Sequence, residues 1–117
     1  MFNFEKLDVY KEAVSFAKKI YKVTKKFPKD ELFGLTNQLR RSAISISLNI
    51  AEGSSRSKKE FKHFLSIAIG SVYECIPLIE VSREEKIISD KEYEDIYMDC
   101  SKIAAMLSAL KNSINIQ

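Results

Sequence analysis

Apolar residues recur along this chain at helical spacing in four long blocks. In the first, Leu7, Tyr10, Ala13, Val14, Ala17, Ile20, Tyr21 and Thr24 share one face, which predicts a helix from about Glu5 to Lys26. Lys11, Lys18, Lys22 and Lys25 occupy the other face. Phe27-Pro28 ends this helix, because the residue before a proline is pushed out of αR geometry. Asp30 then reads as an N-cap, with Glu31 in the first turn of a second helix.

The second block predicts a helix from about Glu31 to Glu52. Leu32, Leu35, Leu39, Ala43, Ile46 and Ile50 form its stripe, and Ser42, Ala43, Ser45 and Ser47 are small enough to let a neighbouring helix come close. Gly34 inside it costs about 1 kcal/mol relative to alanine; a close helix crossing would explain it, and so would simple tolerance. Gly53 offers a C-terminal stop. Ser57-Lys58-Lys59-Glu60 matches a capping box and opens a third helix from about Lys58 to Lys86. Its stripe is Phe61, Phe64, Leu65, Ala68, Val72, Cys75 and Ile79, widened by Ile67, Ile69, Tyr73 and Ile76. Pro77 lies inside this block. An interior proline removes a hydrogen bond and crowds the preceding turn at a cost of ~3 kcal/mol, so a kink is expected near Tyr73–Pro77, with the helix continuing. Ser89-Asp90-Lys91-Glu92 is a second capping-box match, opening a fourth helix from about Asp90 to Asn112. Tyr93, Ile96, Tyr97, Cys100, Ile103, Ala104, Leu107 and Leu110 are its expected inward residues.

Four amphipathic helices joined by connections of a few residues predict an all-α fold, an antiparallel up-down four-helix bundle. No repeat or linker divides the chain, so residues 1–117 are expected to form one domain. Three glycines and two prolines are few, which agrees with long helices. Ile44 and Leu48 fall off the core stripe of the second helix, and a second apolar face marks an interface.

Composition narrows the function classes. No run approaches ~18 consecutive apolar residues, so no membrane span is expected. The N-terminus lacks the basic and apolar regions of a signal peptide. Cys75 and Cys100 are the only cysteines and lie far apart in sequence, too few and too distant for a disulfide framework or a zinc site. Reduced thiols in a cytoplasmic protein are the simple reading. The net charge of +3 is unevenly spread: Met1 to His63 carries fourteen Lys/Arg against seven Asp/Glu, and Phe64 to Gln117 carries five against nine. A basic first half and an acidic second half can serve an anionic partner, or let one subunit's basic face meet another's acidic face.

No catalytic constellation emerges. His63 is the only histidine; it lies beside Lys59 and Lys62 with no activated nucleophile in view, and reads as a surface residue. Glu60 and His63 have Glu-x-x-His spacing, but a di-metal bundle needs that motif on two helices, and one histidine cannot supply it twice. No phosphate-binding glycine loop or His-Glu-x-x-His is present. The chain is therefore read as a non-enzyme without metal or cofactor. Glu52 and Glu74 lie beside apolar stripes, and a buried carboxylate needs a partner. With Asn49 they are expected in a structural polar network with Arg40, Arg41 or helix-terminal N–H groups, the alternative being a ligand site. Arg56, Lys58, Lys59 and Lys62 cluster around the start of the third helix, where cations and helix N–H groups can meet phosphates. Together with Arg40 and Arg41 they are the candidate nucleic-acid-binding residues. Phe61 and Phe64, interleaved with them, read as core residues rather than base-stacking ones.

The chain also resembles a known family. Leu7-Asp8-Val9-Tyr10-Lys11-Glu12-Ala13 is similar to its opening pattern. Phe27-Pro28, Glu31, Phe33-Gly34-Leu35, Gln38 to Ala43, Ser45-Ile46 and Asn49-Ile50-Ala51-Glu52-Gly53 resemble its central block. Glu60-Phe61, Phe64-Leu65, Ala68, Gly70-Ser71 and Glu74 resemble its third helix. This is the four-helix bundle protein family encoded in intervening sequences of bacterial 23S ribosomal RNA genes, with the accessory variability determinant of diversity-generating retroelements as a relative. The resemblance implies a bacterial cytoplasmic protein that assembles as a homopentamer; that relative is a basic pentamer which binds nucleic acid and works with a reverse transcriptase. The expected function is accordingly a non-enzymatic oligomeric scaffold that binds RNA or DNA through a basic surface. The alternative is a protein–protein adaptor without direct nucleic-acid binding.

Overall fold

A computed structural model gives the fold and describes residues 1–116. A 3-10 turn, Asn3–Lys6, precedes α1 (Asp8–Thr24); α2 spans Asn37–Ser54, α3 Lys58–Glu84 and α4 Asp90–Ser113. The helices form an antiparallel up-down bundle 49 × 21 × 20 Å in extent. Sequence neighbours pack against each other, α2 with α3 most extensively, and α1 closes the bundle against α4.

The core follows the four stripes, with one rotation. In α1 the buried residues are Val9, Ala13, Phe16, Ala17, Ile20 and Thr24. Val9 and Phe16 therefore replace the expected Val14 and Tyr21, of which Val14 is half-buried and Tyr21 exposed. Tyr97 of α4 is also exposed rather than inward. Leu39, Ala43, Ile46 and Ile50 of α2 meet Leu65, Ala68, Val72, Cys75 and Ile79 of α3 and Ile96, Cys100, Ile103 and Leu107 of α4 in one cluster. By length and composition alone, α3 is apolar enough to cross a bilayer, against the sequence expectation; few charges fall between His63 and Glu80, although the helix supplies much of the bundle core.

The second helix starts later than the sequence predicts. Asp30 is not its N-cap. Lys29–Glu31 is a 3-10 turn, followed by a π-type turn, Leu32–Thr36, kinked at Gly34 (φ −110°, ψ −110°). Gly34 thus sits at a bend rather than at a helix crossing. The Glu31 carboxylate accepts a hydrogen bond from the Leu35 N–H at 3.5 Å. The bend turns Leu32 outward and leaves Phe33 88% exposed, so Leu32 does not extend the core stripe.

Gly53 is not a stop either. It is buried within the last turn of α2, where a Cβ would lie 2.5 Å from Phe64 Cβ and 3.1 Å from Phe61 Cδ1. The missing side chain lets α2 and α3 converge at their hairpin. The helix runs on to Ser54, and Ser55 is its C-cap. Beyond it, Ser57 caps α3, its hydroxyl accepting from the Glu60 N–H at 3.2 Å. The Glu60 carboxylate accepts from the Ser57 hydroxyl at 3.0 Å instead of returning to the backbone, so this box is half formed. Ser89 and Glu92 make the full reciprocal box at α4.

α3 is continuous through Pro77, which is exposed. It ends in a Schellman-type turn. Lys86 has φ 61°, the Ile87 N–H donates to Ser82 O at 2.8 Å, and the Lys86 N–H donates to Arg83 O at 2.9 Å.

Candidate nucleic-acid interface

The six cations singled out from the sequence separate into different surroundings. Arg56, Lys58, Lys59 and Lys62 lie at the α2–α3 hairpin, whereas Arg40 and Arg41 lie near the other end of α2, about 20 Å away along a helix rising 1.5 Å per residue. Arg40 is half-buried. Its Nε donates to Thr24 Oγ1 at 2.8 Å, and its guanidinium stacks over the Tyr21 ring, 4.8 Å from the centroid. It ties α2 to α1. Arg41 is exposed and lines a cleft of about 540 Å³ between α2 and α3 with Gln38, Ser42, Ser45, Gly70, Ser71 and Glu74.

At the hairpin, Arg56 is committed to carboxylates. Its Nη2 lies 2.7 Å from Glu52 Oε1 and its Nη1 3.7 Å from Glu60 Oε2, and its guanidinium rests 5.2 Å from the Phe64 centroid. Lys62 is half-buried and donates to the carbonyl of Ile114 at 3.4 Å, joining the start of α3 to the end of α4. Lys58 and Lys59 are exposed, and among the described residues neither has a carboxylate within 4.0 Å. At the hairpin they are the exposed cations left without a carboxylate among the described residues; Arg41, likewise exposed and without one, lies toward the other end of α2. Phe61 packs against the core, as expected, and His63 is exposed with its ring edge toward Phe64.

The polar network forms with a changed membership. Asn49 Nδ2 donates to Ser45 O at 2.8 Å and Ser45 Oγ at 2.9 Å, and Ser45 Oγ meets Ser71 Oγ at 2.9 Å, carrying the chain of hydrogen bonds from α2 to α3. One turn away, the Ser42 hydroxyl donates to Glu74 Oε2 at 3.1 Å. Glu74 is exposed, so it keeps water on its far side and needs no arginine. Glu52 is outside this network. Its side chain is 54% exposed and its partner is Arg56, not Arg40 or Arg41. Ser42 and Ser45 were visible in the sequence only as small residues; their hydroxyls gained a role once α2 and α3 were in register.

Part of the charge asymmetry is consumed inside the chain. The α1–α4 seam carries Lys26–Glu92 at 3.6 Å, Lys19–Asp95 at 3.0 Å, Lys19–Asp99 at 2.6 Å and Lys102–Glu12 at 3.0 Å. The Asp99 bond holds the Lys19 ammonium above its ordinary pKa, with burial opposing. Basic α1 thus meets acidic α4 within one molecule. On the opposite flank of α1, Lys18, Lys22 and Lys25 have no such partner among the described residues, and they rim a groove of about 690 Å³ floored by Val14, Ala17, Tyr21, Ile44 and Leu48. In the sequence these lysines read only as a solvated face. Their spacing of four and three residues beside two off-stripe apolar positions was the available signal.

Cys75 and Cys100 are brought together in the core although far apart in sequence, both buried and both free. The neighbouring Cys100 thiol and burial together push the Cys75 thiol well above the ordinary range, and Cys75 Sγ donates to Ser71 O at 3.5 Å. Neither is a nucleophile. Among the described residues no group of three His, Cys, Asp or Glu converges to hold a metal ion.

Short connections and a continuous apolar core define an all-α, up-down four-helix bundle. Residues 5–109 match the model of the 23S rRNA-intervening sequence protein family, and the chain belongs to that family. A crystal structure from Bacteroides thetaiotaomicron, described as a protein with unknown function from the S23 ribosomal protein family, has the same fold. It matches with a TM-score of 0.83 at 26% identity, over 90% of this chain and 96% of that one. No curated protein matches the chain.

Proposed function

We propose that this protein is a non-enzymatic oligomeric scaffold that binds RNA or DNA at the α2–α3 hairpin end of the bundle, as a cytoplasmic homopentamer. The observation that carries the reading is the pair Lys58 and Lys59, exposed on the first turn of a 27-residue helix and, among the described residues, without a carboxylate partner. Lys62 and Arg56 stand behind them, the first held by a carbonyl, the second balanced by Glu52 and Glu60. A phosphate approaching this end meets two exposed ammonium groups and the N–H groups at the start of α3. Such a site recognises backbone charge and shape rather than base identity. The family's name ties it to 23S rRNA intervening sequences, which makes a structured RNA hairpin the first probe.

The test is filter binding of such a hairpin across a salt series. Affinity should fall steeply with salt. Lys58→Ala and Lys59→Ala should each lower the log–log salt slope by about 1, as expected when one phosphate fewer is neutralised, and replacing both lysines with glutamate should abolish binding. Undiminished binding by the double variant would show that the hairpin is the wrong surface. A second reading, a protein–protein adaptor, is favoured by a different feature: the apolar groove in which Leu48 is 60% exposed. Co-purification of a protein free of nucleic-acid absorbance supports that reading.

A further inference from the structure

The end of the bundle that carries the α2–α3 hairpin also carries the 3-10 turn Asn3–Lys6. The Arg40–Thr24 bond sets the last turn of α1 beside the first turn of α2. The first turn of α1 therefore lies beside the last turn of α2, and the 3-10 turn packs against both helices. Three aromatic rings meet there. Phe2 stacks on Phe4 with centroids 5.7 Å apart and planes 15° from parallel, and Phe4 meets Tyr10 of α1 edge-on at 5.0 Å. Phe4 and Tyr10 are half-buried, whereas Phe2 is 71% exposed. The outer ring is nevertheless held in place. The Phe2 N–H donates to Glu5 Oε1 at 2.9 Å, and the Glu5 N–H donates to Phe2 O at 3.1 Å. Phe4 covers one face of the Phe2 ring and leaves the other to solvent. Around it, Lys6, Lys58 and Lys59 are exposed and have no carboxylate within 4.0 Å among the described residues. Of the carboxylates at this end, Glu5 holds the Phe2 N–H, Glu52 and Glu60 hold Arg56, and Asp8 stands exposed at the first position of α1.

We propose that Phe2 is a base-stacking platform, and that the ligand of this end is an unpaired stretch of nucleic acid such as a hairpin loop. The inference rests on the nucleic-acid part of the proposed function and narrows its ligand from a backbone of any shape to one with bases out of the stack. A fixed ring face alone suits any flat apolar group. A ring face beside Lys6, Lys58 and Lys59 suits flat groups carried on an anionic chain, which is the chemistry of a nucleotide strand. Inside a duplex each base is covered by its neighbours, so only an unstacked base can use the ring. The dimensions agree. The bundle is 21 × 20 Å across, so a strand running over this end from the ring to the lysines is a few nucleotides long, near the lower limit of the roughly 4–16 nucleotides that single-strand sites cover. Every base has a π-face, so the platform selects for unpaired bases rather than for a sequence.

The experiment is fluorescence anisotropy with two labelled RNAs that share one stem, the first closed by a loop of unpaired uridines and the second by a flexible ethylene-glycol linker. Wild type should bind the looped RNA the more tightly. Phe2→Ala should weaken binding of the looped RNA about 5- to 150-fold, the range for losing one stacked base, and leave binding of the linker-closed RNA unchanged. Its salt slope should stay that of wild type, because stacking releases no counterions, whereas the Lys58 and Lys59 variants lower the slope on both RNAs. Phe2→Trp should keep the affinity. The chain has no other tryptophan, so quenching of this indole by the looped RNA reports the stack directly. Because Phe2 is exposed, both variants should melt with wild type. Phe2→Ala binding the looped RNA as tightly as wild type, or a Phe2→Trp indole that the looped RNA does not quench, overturns the stacking role and leaves the lysine site standing. Equal wild-type affinity for the two RNAs overturns the preference for unpaired bases. Failure of wild type to bind either RNA overturns the nucleic-acid reading itself, and this inference with it.

Discussion

Gly53 of α2 and Phe64 of α3 touch so closely that no side chain fits between them: a Cβ on Gly53 would stand 2.5 Å from Phe64 Cβ. The neighbour is the root of a side chain, not its flexible end, so relief requires the backbones to separate. Gly53→Ala should therefore destabilise the protein by about 1–3 kcal/mol, the usual cost of overpacking. Gly70 is the control. It lies in α3 with nothing within 4 Å of the Cβ position, and Gly70→Ala should stabilise by up to about 1 kcal/mol through helix propensity. Urea unfolding of both variants checks the pair, and equal signs would contradict the packing described.

Lys86 holds the left-handed position after α3 where glycine is the ordinary occupant. A side chain there costs roughly 1–2 kcal/mol, partly offset by glycine's extra freedom in the unfolded chain. Lys86→Gly should raise stability by up to about 1 kcal/mol, seen as a higher urea midpoint at unchanged m-value.

The Ser89–Glu92 box gives α4 a pH-dependent start. The Ser89 N–H donates to Glu92 Oε1 at 2.9 Å, and this backbone bond, helped by Lys26, holds the Glu92 carboxyl below its ordinary pKa. A pKa lowered by folding stabilises the native state above the unfolded value and loses that contribution as pH falls through the folded one. The stability difference between wild type and Glu92→Ala should accordingly be full at neutral pH and shrink below about pH 4. Ser89→Ala should cost about 1 kcal/mol. Denaturant titrations at several pH values measure both; a difference that grows on acidification would refute the assignment.

The core thiols should be inert while the bundle is folded. Cys75 and Cys100 are both buried, and the Cys75 thiol is held far from ionisation by its neighbour and by burial. An aromatic disulfide reagent should react with them only as fast as the protein opens, and promptly in denaturant. Fast native-state labelling at neutral pH would show that the α3–α4 core is looser than described.

The number of helices, their order and most of the core were legible along the chain, because burial imposes a 3.6-residue period that the sequence must carry. Leu39, Ala43, Ile46 and Ile50 sit where that period puts them. Both serine caps could be read as well, since their chemistry is local. Two local breaks were not legible: the bend at Gly34 and the αL turn at Lys86 depend on how the connections reach their neighbouring helices. The rotation of α1 that buries Phe16 and frees Tyr21 depends on which helices flank it, which a one-helix pattern does not contain.

The candidate surface divides in the same way. That the hairpin is basic follows from Arg56, Lys58, Lys59 and Lys62 alone. That Arg56 is neutralised while Lys58 and Lys59 are left over follows from the positions of Glu52 and Glu60 in space. The sequence by itself determined the helical class, the bundle and the family likeness, because these rest on periodicity and on local capping. Only the tertiary structure decided which charges cancel and why Gly53 must be glycine, because those depend on distances between residues on different turns and different helices.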